Sequence, residues 1–139
     1  MPHIALFTDE TSLEGEIGNK SLVLIEQSLQ ELNYTYKVFS RPSMRDEFLQ
    51  NYKTFDLGIP VIHGGIGENG QIAALLELLG IPYLFSSSSV HSLCFDKYAS
   101  YLLVKDLGYT IPHTYHLTTM DEIANIPFSG PYFIKPNTS

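Results

Sequence analysis

Within the turn HGGIGENG (63–70), four glycines fall in seven residues, and His63 and Glu68 are its titratable side chains. Gly64, Gly65, Gly67 and Gly70 let a backbone turn sharply or approach a neighbour closely, because a residue without Cβ tolerates both. A histidine that closes a buried strand is often only hydrogen-bonded there. Beside three glycines it is equally suited to line a ligand pocket. Gly65-Ile66-Gly67-Glu68-Asn69-Gly70 also satisfies the G-x-G-x-x-G spacing of dinucleotide sites. That turn, however, follows the third strand instead of the first. A ribose-binding acid is needed about 20 positions later, and Ser89-Val90-His91 stands there. A nucleotide-dependent oxidoreductase is therefore a poor reading.

Lys97 and Lys135 pose a second kind of chemistry. At about 100° per residue from Val90, Lys97 falls inside the stripe of Val90, Leu93, Tyr101 and Val104. Such a lysine extends along apolar surface to solvent or meets an anion. Lys135 stands inside the apolar run PYFIKP (131–136) and poses the same choice. Two inward-capable lysines among only eight Lys+Arg favour a phosphate ligand. Glu14 and Glu16 follow the first apolar run. They read as part of a solvated acidic loop with Asp9 and Glu10, or as a carboxylate for a substrate ammonium.

These side chains need elements to position them. HIALFT (3–8) predicts a buried first strand. Leu22, Ile25, Leu29 and Leu32 recur at helical spacing over about 19–32. YTYKVFS (34–40) predicts strand two, 44–52 a short helix, LGIPVIHG (57–64) strand three, QIAALLELL (71–79) a helix and IPYLF (81–85) strand four. Strands alternating with helices predict an α/β fold, a parallel Rossmann-like sheet with helices on both faces. Ligands of such sheets bind beyond the carboxyl ends of the strands. Those ends are Thr8–Glu16, Ser40–Arg45, His63–Gly70 and Phe85–Ser89. Val90 to Gly108 predicts one long linking helix. IPHTYHL (111–117) then reads as extended, TMDEIANI (119–126) as a short helix capped by Thr119, and PYFIKP as a strand. The expected division is 1–89, a linking helix over 90–110, and the start of a second domain over 111–139. A terminal apolar strand lacking sheet partners suggests a fragment.

Composition narrows the partners. The 139 residues carry a net charge of −7, which disfavours nucleic acid and anionic membrane surfaces, since both require a basic patch. Cys94 is the single cysteine, so no intrachain disulfide forms, and a reducing compartment suits it. MPHIALFTDE lacks a basic n-region, and AALLELLGIPYLF is interrupted by Glu77, Gly80 and Pro82. A cytoplasmic protein is expected.

Taken in order, SLEGE (12–16), HGGIGENG (63–70), LLELLGIPY (75–83), FDK (95–97) and FIKP (133–136) resemble the D-alanine–D-alanine ligases of the ATP-grasp superfamily. The resemblance runs along essentially the whole chain. It implies the N-terminal (pre-ATP-grasp) domain of such a ligase followed by the start of its ATP-grasp domain. The implied reaction activates the carboxylate of one D-alanine with ATP as an acyl-phosphate, which the amine of a second D-alanine attacks. The dipeptide feeds peptidoglycan precursor synthesis. By this resemblance Glu14 holds the ammonium of the first D-alanine as a catalytic-site residue, and His63 lies at the same pocket. Lys97 and Lys135 contact the ATP phosphates, and Glu68, Gly67 and Gly70 shape the turn. No residue here is expected to bind metal. Mg²⁺ ligands, a serine-rich phosphate loop and an arginine are expected beyond Ser139, which makes this chain alone inactive. A homodimer through the N-terminal domain is also implied.

The family's pattern is altered in four places: Thr8-Asp9-Glu10-Thr11 replaces a glycine-rich loop, Gly18 a serine, Asn69 an aspartate, and Leu84-Phe85-Ser86-Ser87 a T-G-S-G run. All lie around the first-substrate pocket. Two alternatives follow. One is another ATP-grasp carboxylate–amine ligase, and the other a non-catalytic flavodoxin-like module that binds a ligand or partner.

Overall fold

The computed structural model describes residues 1–139 except Glu10, Ser12, Leu13, Glu14 and Ser139. Two compact units divide the chain, Met1–Ser92 and Leu93–Ser139.

In the first unit, β1 (His3–Thr8), β2 (Thr35–Ser40) and β3 (Leu57–Pro60) form a parallel sheet in the order β2-β1-β3. The register pairs Phe7 with Phe39 on one side and Leu6 with Ile59 on the other. Alternation along β1 sends its side chains to opposite faces. Ile4 and Leu6 join Leu29, Ile59 and Val61, while Ala5 and Phe7 join Phe39, Met44, Phe48, Phe55, Ile72 and Leu76. The first face is covered by α1 (Gly15–Glu31), and the second by α2 (Met44–Asn51) and α4 (Gln71–Leu79). Phe48 anchors the second face, standing edge-on to Phe7 at 4.9 Å and to Phe39 at 5.3 Å. Between β3 and α4 lies the single turn α3 (Gly65–Glu68). Gly80 ends α4 in the left-handed conformation, and the Ile81 N–H returns to the Leu76 carbonyl at 2.9 Å. This is the ending that a glycine just past a helix favours.

The α/β architecture with a parallel sheet is the one expected, with local differences. Helix α1 begins at Gly15 and ends at Glu31, so Leu32 lies beyond it and is exposed. The fourth strand reduces to a single bridge. Tyr83 pairs with Gly58, and the Gly58 N–H donates to the Pro82 carbonyl at 2.8 Å. Pro82 has no N–H with which to extend a ladder.

Helix α5 (Ser88–Phe95) and helix α6 (Lys97–Asp106) replace the continuous helix expected over Val90–Gly108. The break is at Asp96, whose backbone is extended (φ −81°, ψ 100°) and whose carboxylate accepts the Ala99 N–H at 2.9 Å. An aspartate at the N-cap satisfies a helix-start donor and so begins a new helix. In the second unit, a 3-10 helix runs over Met120–Asn125 with Thr119 at its N-cap position. PYFIKP forms no strand among the described residues, and Phe133 is 96% exposed. Pro131 and Pro136 remove donors at both of its ends.

Candidate functional site

In the first unit β1 is central, and the chain leaves β1 and β3 towards helices on opposite faces of the sheet. That divergence opens a crevice beyond the carboxyl ends of the two strands, the switch point where open α/β sheets bind ligands. His63 stands there, half-buried, three residues after the end of β3 and two before the start of α3. Its Nε2 lies 3.5 Å from the Ser21 hydroxyl of α1. Gly18, one turn earlier on α1, is buried, and a Cβ added there would come within 3.8 Å of the His63 ring. His63 thus packs against the α1 side of the crevice. Glu14 lies outside the described residues.

The glycines of the turn serve distinct purposes. Gly64, Gly65 and Gly70 have positive φ, at 73°, 48° and 91°. Nothing lies within 4 Å of a Cβ added at Gly64 or Gly65. Gly67 and Gly70 are crowded, the first by Ile62 and the second by the Ser88 carbonyl and the Ser92 hydroxyl. Helix α5 is bonded to the turn at this point. His91 Nδ1 lies 3.3 Å from the Glu68 carbonyl oxygen, and the Ser92 hydroxyl donates to the Asn69 carbonyl at 2.8 Å. What the glycine-rich backbone approaches is therefore α5. Glu68 itself is exposed.

Asp9, expected in a solvated loop, is buried at the end of β1. It accepts the Thr11 N–H at 2.9 Å and hydroxyl at 2.6 Å, and pairs with Arg41 at 3.2 Å. Burial works to raise its pKa, but the Thr11 donors and the Arg41 guanidinium outweigh that and hold the carboxyl below its usual range. Loops after β1 and β2 are joined in this way beside the crevice. Glu77 at the end of α4 accepts the Ser88 N–H at 2.9 Å and hydroxyl at 2.6 Å, and the Tyr83 hydroxyl. The Ser88 hydroxyl, then the Tyr83 hydroxyl and the Ser88 N–H, lower its pKa. Its carboxylate fixes the start of α5.

In the second unit, Lys97 and Lys135 line one cleft of about 900 Å³. Tyr98, Tyr101, His116 and Phe128 form part of its wall, with Tyr98 stacked on His116 at 4.3 Å. Lys97 is the first residue of α6 and not a mid-helix residue, so the stripe that predicted its direction is interrupted at Asp96. Both lysines are exposed. Asn137 joins the two ends of this unit. Its carbonyl accepts the Lys97 N–H at 3.1 Å, and its side-chain oxygen accepts the Tyr98 N–H at 2.9 Å. Its amide donates to Asp96 at 2.9 Å. Two cationic side chains in a partly aromatic cleft fit a nucleotide polyphosphate. Among the described residues no three His, Cys, Asp or Glu converge as metal ligands, and no helix is long and apolar enough to cross a membrane.

Asp9, Arg41, Glu77, Asp96 and Asn137 are thus working polar groups to which the sequence pattern assigned no role of their own, although FDK contains Asp96 and LLELLGIPY contains Glu77. Asp96 alone carried a local signal, an aspartate followed by a helical run. The others act through partners distant in sequence.

A family model described as D-ala D-ala ligase N-terminus matches residues 6–86. The D-alanine--D-alanine ligase of Thermotoga petrophila is 34% identical over 136 residues, covering 96% of this chain and 43% of its own length. A crystal structure of the D-alanine--D-alanine ligase from Bacillus anthracis complexed with ATP superposes with a TM-score of 0.79 at 23% identity, covering 99% of this chain and 48% of that one. The VanG D-Ala:D-Ser ligase from Enterococcus faecalis shares the fold with a TM-score of 0.64 at 20% identity, over 81% of this chain and 43% of its own. The chain spans less than half the length of these relatives.

Proposed function

The chain belongs to the D-alanine–D-alanine ligase N-terminal family, and from that premise we propose that it forms the amino-terminal part of an ATP-dependent ligase acting in peptidoglycan precursor synthesis. Its reaction joins D-alanine, through its activated carboxylate, to the amine of a second D-alanine. The observation that carries this reading is the placing of Lys97 and Lys135 on one cleft in a chain otherwise poor in positive charge.

ATP, when bound, supplies the phosphoryl group that activates the first carboxylate. Lys97 and Lys135 neutralise and orient its phosphates, the positioning and charge work on which phosphoryl transfer depends. His63 lines the amino-acid pocket in the crevice between β1 and β3, and Glu14 is assigned the substrate ammonium on family membership. Gly67 supports that pocket by letting the turn fold back on Ile62, and Gly70 by letting it close on α5, a contact to which Glu68 contributes its carbonyl. Mg²⁺ dependence, a cytoplasmic location and a homodimer belong to the same reading and rest on family membership. No described residue is assigned to the metal.

Asp9 is buried in a first loop that departs from the family's glycine-rich pattern, and this favours testing a second substrate. Among the relatives, the VanG ligase is titled for D-Ala and D-Ser. Mass spectrometry of products formed from ATP with D-alanine, D-serine or D-lactate tests the proposal. D-alanyl-D-alanine as the main product is expected, and a mixed product would transfer the assignment to a neighbouring ligase. Formation of neither product would leave the fold as a binding module.

A further inference from the structure

We propose that Asp96 and Asn137 are positioning residues for the phosphate-binding lysines, acting as a clamp that holds Lys97 and Lys135 on one wall of the cleft. This inference rests on the ATP reading of that cleft. Three observations support it. Asp96 interrupts the helix, so Lys97 becomes the first residue of α6 at the rim of the cleft. The same Asp96 oxygen that accepts the Ala99 N–H also accepts the Asn137 amide, both at 2.9 Å. Asn137 in turn takes the backbone N–H groups of Lys97 and Tyr98, at 3.1 and 2.9 Å.

The segment carrying Lys135 has no ladder of its own among the described residues. It meets the start of α6 through these bonds and the Asp96–Thr138 bridge. Asn137 is two residues from Lys135; its main-chain carbonyl accepts the Lys97 N–H while its side chain ties Tyr98 and Asp96, so the side chain holds the segment that carries Lys135 against the start of α6. The Ala99 N–H and the Asn137 amide help to keep Asp96 ionised, lowering its carboxyl below its usual range. An ionised acceptor strengthens both bonds.

Asparagine is matched to this task because it presents one acceptor and one donor at once. Asn137→Asp would keep the acceptor for Tyr98 but set a second carboxylate against Asp96. Asn137→Ala removes both. Asp96→Asn combined with Asn137→Asp restores a donor facing an acceptor with the roles exchanged.

The test uses the protein expressed from its complete reading frame, and two readouts. Lysine acetylation followed by mass spectrometry, with Mg-ATP as the probe, reports shielding of Lys97 and Lys135. Amide hydrogen exchange at Tyr98, whose N–H is accepted by the Asn137 side chain, reports the clamp without nucleotide. In Asn137→Ala, which removes the Tyr98 acceptor, and in Asn137→Asp, which sets a second carboxylate against Asp96, exchange at the Tyr98 amide is expected to accelerate. The ATP concentration that half-shields both lysines is expected to rise together by about tenfold, the size of one or two lost hydrogen bonds. The exchanged pair is expected to recover much of that loss. Shielding at the wild-type midpoint in Asn137→Ala, or unchanged exchange, would overturn the clamp alone. Accelerated exchange with no shielding by ATP in the wild type would overturn the ATP reading, and this inference with it.

Discussion

Gly70 leaves no room for a side chain beside Ser88, because an added Cβ would collide with the Ser88 carbonyl oxygen. Gly70 also holds a φ of 91°. Both the collision and the backbone strain oppose any substitution, so Gly70→Ala is predicted to cost at least about 2 kcal/mol. Gly65→Ala meets open space and has only its positive φ to overcome, a cost of about 1–2 kcal/mol. Chemical denaturation without ligand should rank the two in that order. Equal effects would mean that close packing on α5 is not what requires glycine at position 70.

The pairing of buried Asp9 with exposed Arg41 predicts a pH-dependent contribution to stability. Asp9 has its pKa lowered in the fold. Its contribution is therefore fully present above the unfolded value of about 4, and is lost as pH falls through the lower folded value. At pH 7, Asp9→Asn should destabilise by about 1–3 kcal/mol, as expected for disturbing a buried hydrogen-bonded group. The difference in melting temperature between the two proteins should narrow as pH falls below about 4. A constant difference down to that range would place the loss elsewhere.

Leu76 and Leu32 provide a contrast within the apolar pattern. Leu76 is fully buried, whereas Leu32 is 65% exposed. Leu76→Ala is predicted to cost about 2–5 kcal/mol, and Leu32→Ser to stay within about 0.5 kcal/mol. Denaturant midpoints at a common slope would test the pair. A large loss at Leu32 would require it to be covered in solution.

That contrast also marks how far the chain could be read without coordinates. A continuous apolar run placed β1, which is buried on both faces, and period-2 and helical patterns placed β2, α2 and α4 closely, because each of these buries a face through local spacing. Leu32 fitted the α1 stripe, but the helix ends at Glu31. IPYLF and PYFIKP have strand composition. A strand, however, is defined by its partner's hydrogen bonds, and prolines remove donors from both runs. The helix break at Asp96 depends partly on Asn137, and no local window contains both. For the site, His63, Lys97 and Lys135 were legible as residue types in telling positions. The burial of Asp9 was hidden because Arg41 joins it from another strand end.

Phosphate release tests the role of the cleft lysines most directly. It would be measured with Mg-ATP and D-alanine for the protein expressed from its complete reading frame and for its Lys97→Ala variant. Release that depends on D-alanine is expected in the wild type. A loss of about 10- to 150-fold in kcat/KM for ATP is expected in the variant, the size of one charged hydrogen-bonding partner, with the melting temperature nearly unchanged. Release independent of D-alanine would contradict the ligase reading, and a variant as fast as the wild type would contradict the assignment of this cleft to ATP.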